Sequence, residues 1–269
     1  MTMSREWRLG VTLPSFVSDP APVLEVAAAA EAAGADGVFA YEHLFRVARD
    51  GSRRPAQDLW ATLGAVAAST RRIAIGSLVA RATLRPAATV AHGFATLDRV
   101  SRGRVIAVLG AGDGESRAEN EEFGLDFGSL DARVSQLDAA LGATRSVGVT
   151  TWVGGTHPRV LATVAHADGW NRWGGSVKQF TTEAAVVRRA NPTATLTWGG
   201  LVVVAPTDAT ASEKAERLDA PKDAIVGSPS TIAESVVPYV AAGAEWIILA
   251  PVDSSDPANI ALLTSQCAS

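Results

Sequence analysis

Residues 34–45 read GADGVFAYEHLF and contain a turn, a short strand and two polar side chains in direct succession. Gly34 follows an Ala-rich helical segment, where a glycine commonly ends a helix. The apolar, β-rich run 37–41 predicts a buried strand. Glu42 and His43 come directly after it. The sequence therefore places a carboxylate and an imidazole at the C-terminal end of a buried strand.

The alternation of strand and helix continues along the whole chain. Eight apolar runs, from RLGVTL near the N-terminus to AEWIILAP near the C-terminus, alternate with helical segments. The runs are nearly continuous in apolar residues, as parallel strands covered on both faces are. Eight such units in about 250 residues is the count of a (β/α)₈ TIM barrel. We predict this α/β fold as a single domain over residues 1–269 with a C-terminal tail helix; a doubly wound sheet is the competing interpretation.

Composition restricts the classes of function. Of the 269 residues, 47% are hydrophobic and 19% are charged, which is typical of a globular protein. The net charge is −4 with acids and bases interspersed, which argues against a nucleic-acid partner, because phosphate contacts need clustered Lys and Arg. The sequence contains no apolar signal core and no run of about 18 apolar residues, so we expect no membrane segment and a cytoplasmic protein.

Metal and disulfide chemistry are also not expected. The chain has one cysteine, Cys267, so no disulfide can form within it. Histidines and carboxylates do not occur at the spacing of a metal site, and we predict no metal.

Active sites of such barrels lie at the C-terminal ends of the strands. This rule places Glu42 and His43 at a pocket. The alternative interpretation of the same two residues is a glutamate on the surface and a histidine with a structural role. Glycines at other strand ends let a flat ring or a phosphate approach the backbone. The segment GAGDGE also resembles a dinucleotide fingerprint, but Glu115 stands where the third glycine belongs, so this signal is weak.

The segment GGTHPR, residues 154–159, predicts an anion site. A glycine pair leads to Thr156 as a candidate N-cap, Pro158 begins a helix, and Arg159 falls in its first turn. Backbone N–H groups, the helix dipole and a guanidinium would then converge on an anion. An ordinary helix cap with Arg159 in solvent is the alternative.

Several segments together resemble the luciferase-like monooxygenase family, and within it the branch that uses the deazaflavin coenzyme F420. The resemblance extends from Arg8 to about Pro251 and implies the family's bacterial-luciferase-like barrel. The segments that carry it, by their order and spacing, are RLGVTLPS; GADGVFAYEHLF; RIAIGSLVARATLRPAATVAHGFATLDRVSRGRVIAVLGAG followed by EEFG; TWVGGTHPRVLATVAHADGWN; and VGSPSTIAESVVPYVAAGAEWIIL.

The resemblance implies a flavin or deazaflavin that lies across the strand ends, with FMN as the alternative to F420. It also implies a non-proline cis peptide at Leu78–Val79, a backbone approach to the ring at 110–112, and a cofactor phosphate at 154–156. The candidate cofactor-binding residues are Ser77, Leu78, Val79, Gly110, Ala111, Gly112, Gly154, Gly155, Thr156, Arg159 and Asn171.

His43 matches the position where family members place an imidazole beside the ring and the substrate. A proton must move when a deazaflavin exchanges a hydride, and a free imidazole, which titrates at about pH 6.5, can carry it. Glu42 stands where the family more usually has Asp. We expect it to orient His43, raise its basicity or bond the cofactor, and we predict both residues as catalytic.

The function implied is hydride transfer between F420 and a small organic substrate. An FMN-dependent monooxygenase that uses reduced flavin and O₂, and a non-catalytic flavin-binding protein, are the alternatives. The resemblance implies a homodimer. The sequence does not determine the conformation of residues 46–58. Trp173 and Trp198 are the tryptophans best placed to stack on a ring.

Overall fold

The structure is a computed structural model that describes residues 7–47, 51–114 and 116–267, without the side chains of 266 and 267. Eight parallel strands each pair with the next, and the last pairs with the first, so the sheet closes. The predicted (β/α)₈ barrel is confirmed, and the doubly wound alternative is wrong because the closed sheet has no edge. The strands are β1 (Arg8–Thr12), β2 (Gly37–Ala40), β3 (Ala74–Ser77), β4 (Val105–Gly110), β5 (Thr150–Gly154), β6 (Gly169–Trp173), β7 (Thr195–Val204) and β8 (Trp246–Pro251).

Helices follow the strands and cover the outside of the barrel with their apolar faces. Several begin at a Ser, Thr or Asp whose side chain accepts a backbone N–H of the first turn, as at Asp58, Ser129 and Ser228. Within the described ranges, no helix combines the length and apolar character needed to cross a bilayer. The helices are α1 (Ala21–Ala32), α2 (Leu59–Ser69), α3 (Ala87–Ser101), α4 (Ser116–Glu122), α5 (Leu130–Ser146), α6 (Pro158–Ala162), α7 (Val177–Ala190), α8 (Asp208–Arg217), α9 (Pro229–Ala241) and α10 (Ala258–Cys267).

Short elements fill some of the connections. Strands Phe45–Val47 and Arg53–Pro55 form an antiparallel hairpin in the segment whose conformation the sequence did not determine. A two-residue strand, Ala80–Arg81, pairs with the end of β4, and Ile225–Gly227 pairs with the end of β7. A 3₁₀ turn at Thr163–His166 follows α6. These short pieces lack the length that makes a sequence period recognisable.

The N-terminal half of the barrel is filled by three aromatic rings. The Phe39 ring centroid lies 6.1 Å from that of Trp152 and 5.9 Å from that of Trp246, across strands that are not neighbours. Glycines on adjacent strands leave room for these rings: a Cβ on Gly76 would lie 2.4 Å from the Phe39 ring, and one on Gly10 would lie 2.7 Å from it. The rings close the barrel interior, so a ligand has access from the C-terminal mouth.

A separate cavity of about 510 Å³ opens on the N-terminal side of these rings. Its lining includes Trp152, Trp246, Arg8, Arg72 and Arg104. In barrels of this type the N-terminal face serves stability and the C-terminal face serves catalysis. A catalytic site is therefore expected at the opposite, C-terminal end of the barrel.

The packing of the Phe39 ring against Gly76 can be tested by Gly76→Ala. The added methyl would meet the Phe39 ring at 2.4 Å, and such overpacking typically lowers the free energy of unfolding by about 1–3 kcal/mol. Urea unfolding measures the change. Gly142→Ala is the matched control, since Gly142 lies in α5 with no atom within 4 Å of an added Cβ; alanine there should be neutral or stabilising. Equal effects of the two substitutions would contradict the packing argument.

Candidate active site

Backbone hydrogen bonds connect the chain segments that follow β2, β3 and β4 at the C-terminal mouth. Leu78 N–H donates to Ala40 C=O (2.8 Å), Glu42 N–H donates to Val79 C=O (3.3 Å), and Ala82 N–H donates to Gly110 C=O (3.0 Å). These bonds continue the sheet beyond its regular strands. They bring the segments that hold Glu42, Val79 and Gly110 side by side.

Val79 links these segments to β5. The Leu78–Val79 peptide is cis, as predicted. The Val79 side chain packs between two glycines, because a Cβ on Gly110 would lie 2.6 Å from it and a Cβ on Gly154 would lie 2.2 Å from it. The structure thus brings the predicted positions at the ends of β3, β4 and β5 together. The space that the two glycines leave is filled by Val79.

His43 is oriented by a residue that the sequence analysis missed. Its Nδ1 lies 2.7 Å from Oε1 of Glu119, on α4. Oε2 of Glu119 accepts the Leu44 N–H (2.8 Å) and Arg81 Nη1–H (2.9 Å). The His43 side chain is 31% exposed, whereas that of Glu119 is 6% exposed. The buried carboxylate therefore holds a ring whose other side reaches solvent.

The electrostatics of Glu119 decide which ring nitrogen is free. Burial alone would raise the pKa of the Glu119 carboxyl, but hydrogen bonds from His43 and Leu44, with the charges of His43 and Arg81, outweigh burial and lower it. An ionised carboxylate only accepts hydrogen bonds, so Nδ1 of His43 carries a hydrogen. Nε2 is left to accept or donate a proton, which is the arrangement that general acid–base catalysis needs.

Glu42 does not bond His43, so the expectation that it orients the imidazole is wrong. Its Oε2 accepts the Arg81 backbone N–H (2.7 Å) and its Oε1 accepts from the Arg85 guanidinium. The side chain is buried. Burial raises the pKa of the Glu42 carboxyl, and the charge of Arg85 offsets this only in part. Through these hydrogen bonds, Glu42 holds the chain segment that follows β3. Its catalytic role stays a prediction.

Arg81 joins the two carboxylates. It is 2% exposed, and its guanidinium donates to Glu119 and to the side-chain oxygen of Asn120. Burial lowers the pKa of this guanidinium, and the charges of Glu119 and Glu42 oppose the shift. The segment RATLRP, with its two arginines directly after a buried strand, is the sequence signal that could have indicated this cluster.

Two buried polar atoms beside Gly112 remain without a hydrogen-bond partner. They are Nε of Arg81 and Oγ1 of Thr83, and each lies 3.9 Å from the position of a Cβ on Gly112. Both can donate a hydrogen, and unpaired buried donors are unfavourable. They fit a bound ring that carries acceptor oxygen or nitrogen atoms at its edge.

Two candidate residues serve the sheet itself. Oγ of Ser77 donates to the Val108 C=O (2.8 Å) and accepts the Val108 N–H (3.0 Å), so it bridges β3 and β4. Nδ2 of Asn171 donates to Oγ1 of Thr197 (2.8 Å) between β6 and β7. These side-chain contacts support the strands that carry the site.

The predicted anion site is only partly formed. The N-cap of α6 is His157, whose Nδ1 accepts the Arg159 N–H (3.2 Å), so the expectation of Thr156 as N-cap is wrong. α6 has five residues, which limits its dipole. Gly155 donates its N–H to Asn171 C=O (3.3 Å) and accepts from Trp170 Nε1 (2.8 Å). The Arg159 guanidinium is exposed and pairs with Asp131.

The two tryptophans named above occupy different faces of their strands. Trp173 is 38% exposed, and its ring meets that of Tyr41 at 5.8 Å across the mouth. Trp198 is 3% exposed and stacks on Tyr239 of α9 at 4.2 Å, outside the barrel. The prediction that Trp198 can stack on a ligand is wrong. Across the described residues, no cluster of three or more His, Cys, Asp or Glu is arranged to hold a metal ion.

The central role of Glu119 is tested by Glu119→Gln. We expect the free energy of unfolding near neutral pH to fall by about 1–3 kcal/mol, because buried donors lose a charged acceptor. The pKa of Glu119 is lowered in the folded chain, and that of an unfolded glutamate is about 4.3. The carboxylate therefore stabilises the fold above that value and loses this contribution as the pH falls through the lower folded pKa. Urea unfolding at a series of pH values should show the gap between the two proteins narrowing in acid.

Glu122→Gln is the control, since Glu122 is 41% exposed in its pair with Arg53. An exposed pair contributes at most about 1 kcal/mol. A Glu119→Gln gap that stays constant down to strongly acidic pH would show that the charge of Glu119 does not stabilise the fold.

Comparison with known proteins agrees with this architecture. The sequence profile of the luciferase-like monooxygenase family matches residues 3–147. The F420-dependent glucose-6-phosphate dehydrogenase of Nakamurella multipartita is 42% identical over 113 residues, which are 42% of this chain and 32% of that protein. The match thus spans about a third of that relative's length.

Solved structures share the whole fold. An F420-dependent secondary alcohol dehydrogenase in complex with an F420-acetone adduct has a TM-score of 0.82 at 16% identity, over 98% of both chains. An EDTA monooxygenase from Chelativorans has a TM-score of 0.78 at 12% identity, over 98% of this chain and 93% of that one. At such identities the likeness concerns the fold. Because the family profile covers more than half of the 269 residues, the protein belongs to the luciferase-like monooxygenase family.

Proposed function

We propose that this protein is an F420-dependent oxidoreductase that transfers a hydride between the coenzyme and a small organic substrate. The observation that carries the proposal is the His43–Glu119 pair, 2.7 Å apart, at the mouth of a luciferase-like barrel. Family membership and the similarity to an enzyme named for F420 support the choice of coenzyme. Bound F420 supplies a carbon that accepts or donates a hydride.

The residues that would hold the coenzyme surround Val79. Val79, Ala111 and Gly112 offer a surface and backbone groups, and the unpaired Nε of Arg81 and Oγ1 of Thr83 offer donors to its polar edge. We place its phosphate near 154–156, with Arg159 beside it. The residues left in a supporting role are Ser77, Leu78, Gly110 and Asn171.

His43 moves the proton in this proposal. Nε2 accepts a proton from a substrate hydroxyl during oxidation and returns it to a carbonyl oxygen during reduction. Glu119 is a positioning residue: its carboxylate accepts from Nδ1 and so fixes the orientation and the tautomer of the ring. A positioned general acid–base group contributes about 10²–10⁴-fold to a rate.

An FMN-dependent monooxygenase is the second candidate, because the family name and the likeness to a monooxygenase barrel favour it. A small-molecule substrate is common to both candidates, and glucose 6-phosphate, from the name of the similar dehydrogenase, is one compound to assay. We also propose a homodimer, which light scattering can test. The cytoplasmic location stays a prediction.

Titration with the two cofactors separates the candidates. We expect the purified protein to bind F420, followed by the coenzyme's fluorescence, and to bring no yellow flavin from the cell. Binding of FMN without F420 would favour the monooxygenase. Binding of neither would favour a non-catalytic protein and would contradict the proposal.

His43→Ala tests the proton transfer. Turnover, followed through the absorbance of F420 with a panel of alcohols and carbonyl compounds, should fall by about 10²–10⁴-fold, while the dissociation constant for F420 should hardly change. His166→Ala is the matched control, because His166 pairs with Asp138 on the surface with its side chain 60% exposed. Unchanged turnover in His43→Ala would remove the proton-carrier role.

A further inference from the structure

The side of the mouth next to His43 is lined by aromatic side chains from three strand ends. Phe16 follows β1, Tyr41 follows β2, and Trp173 is the last residue of β6. We call these three residues the aromatic rim. The Phe16 ring lies 5.3 Å from the His43 ring and 6.2 Å from the Tyr41 ring, and the Tyr41 ring lies 5.8 Å from that of Trp173. The rim therefore runs without a break from the imidazole to the opposite strand.

The strands of the barrel determine where the rings of the aromatic rim lie, and a glycine leaves space for one of them. β2 and β6 lie on opposite sides of the closed sheet, so Tyr41 and Trp173 can meet only across the barrel mouth. Gly199 of β7 lies under Trp173, because a Cβ there would approach the indole to 2.9 Å. Trp173 keeps 38% of its surface exposed, and an exposed indole over a packed base is a good surface for an apolar molecule.

Among the described residues, three arginines near the mouth are paired with carboxylates. Arg81 pairs with Glu119 and Arg85 pairs with Glu42, both against buried carboxylates. Arg53 pairs with Glu122. A guanidinium committed to a carboxylate at these positions has less capacity to bind a second anion.

Two further arginines reach the mouth in other ways. Arg133 donates to the backbone oxygens of Ala111 (3.1 Å) and Gly128 (3.1 Å). Arg46 lies over the face of Phe16 at 5.3 Å. Burial also raises the pKa of the Tyr41 hydroxyl, so the rim itself is uncharged. Recognition of a phosphate needs several converging donors, and the rim instead offers aromatic faces.

We infer that the site beside His43 selects a neutral alcohol or carbonyl compound with an apolar or aromatic body, and that a phosphorylated sugar is a poor substrate. The inference rests on the proposed function for its chemistry. In oxidation, a secondary alcohol loses a hydride from its carbinol carbon to the coenzyme and a proton from its hydroxyl to Nε2 of His43. The two electrons leave with the hydride, and the product is a ketone.

Binding separates this inference from the proposed function. Calorimetric titration of the cofactor-free protein and of the F420-loaded protein uses three probes: acetophenone, 4-acetylbenzoate and glucose 6-phosphate. The first two share a ring and differ by one carboxylate, so they isolate the effect of charge. We expect acetophenone to bind about tenfold or more tightly than either anion, which corresponds to about 1.4 kcal/mol. Tighter binding of either anion, or no binding of acetophenone, would overturn the inference.

The rim is then tested with Trp173→Ala. Loss of an aromatic pair should weaken acetophenone binding, and raise KM for 1-phenylethanol, by about threefold to tenfold, while the affinity for F420 changes little. Val237→Ala is the control, since Val237 is an apolar residue of α9 with 58% exposure; it should change neither affinity.

Two results for Trp173→Ala would overturn the role of the rim. If F420 binding weakens and acetophenone binding does not, Trp173 belongs to the coenzyme site. If neither changes, the rim does not contact ligands. Failure of F420 to bind the natural chain would defeat the proposed function, and the titration of the cofactor-free protein would still decide the preference for neutral molecules.

Discussion

The buried carboxylate of Glu119 is the contact on which the site depends. It accepts hydrogen bonds from the His43 ring, the Leu44 backbone and the Arg81 guanidinium, at 2.7, 2.8 and 2.9 Å. Taking a carboxylate out of water is costly unless donors and a positive charge replace the solvent. Each of the three donors comes from chain that follows β2 or β3. The same contact that makes the burial of Glu119 tolerable therefore fixes α4 over the barrel and sets the orientation of the imidazole.

The side chains inside the barrel determine which end of it a ligand can occupy. Phe39, Trp152 and Trp246 occupy the N-terminal half, with glycines on adjacent strands to accommodate them. In the C-terminal half, Val79 lies against Gly110 and Gly154. A ring bound at the mouth would therefore rest on a packed core.

The sequence was sufficient to predict features that depend on local pattern. Continuous apolar runs predicted the eight barrel strands, and position after a strand end predicted that His43 lies at the mouth. The family resemblance predicted the cis bond at Leu78–Val79. Glu119 and Arg81 were missed because their contacts are not local: 76 residues separate His43 from Glu119, and 38 separate Arg81 from Glu119. No period or spacing in the sequence reports such a pairing.

Other errors have equally definite causes. Side chains of a strand alternate between two faces, and the sequence near Trp173 and Trp198 does not say which face is inside. Only the closed register places Trp173 in the mouth and Trp198 against α9. The N-cap of α6 lies one residue later than predicted. Thr156 and His157 both carry an acceptor, and the fixed φ of Pro158 favours the residue directly before it as the N-cap. Glu42 and Glu119 present the same carboxyl group, and the chain path alone decides which one meets the imidazole. The groups that hold His43 thus come from α4 and the ends of β2 and β3, whereas Phe16 and Trp173 come from β1 and β6. Because Phe16 and Trp173 lie on other segments than these groups, whereas Tyr41 directly precedes Glu42 after β2, the first two can change without breaking the hydrogen bonds that orient the ring. A change of substrate preference in the proposed enzyme therefore does not require a change in the means of moving the proton.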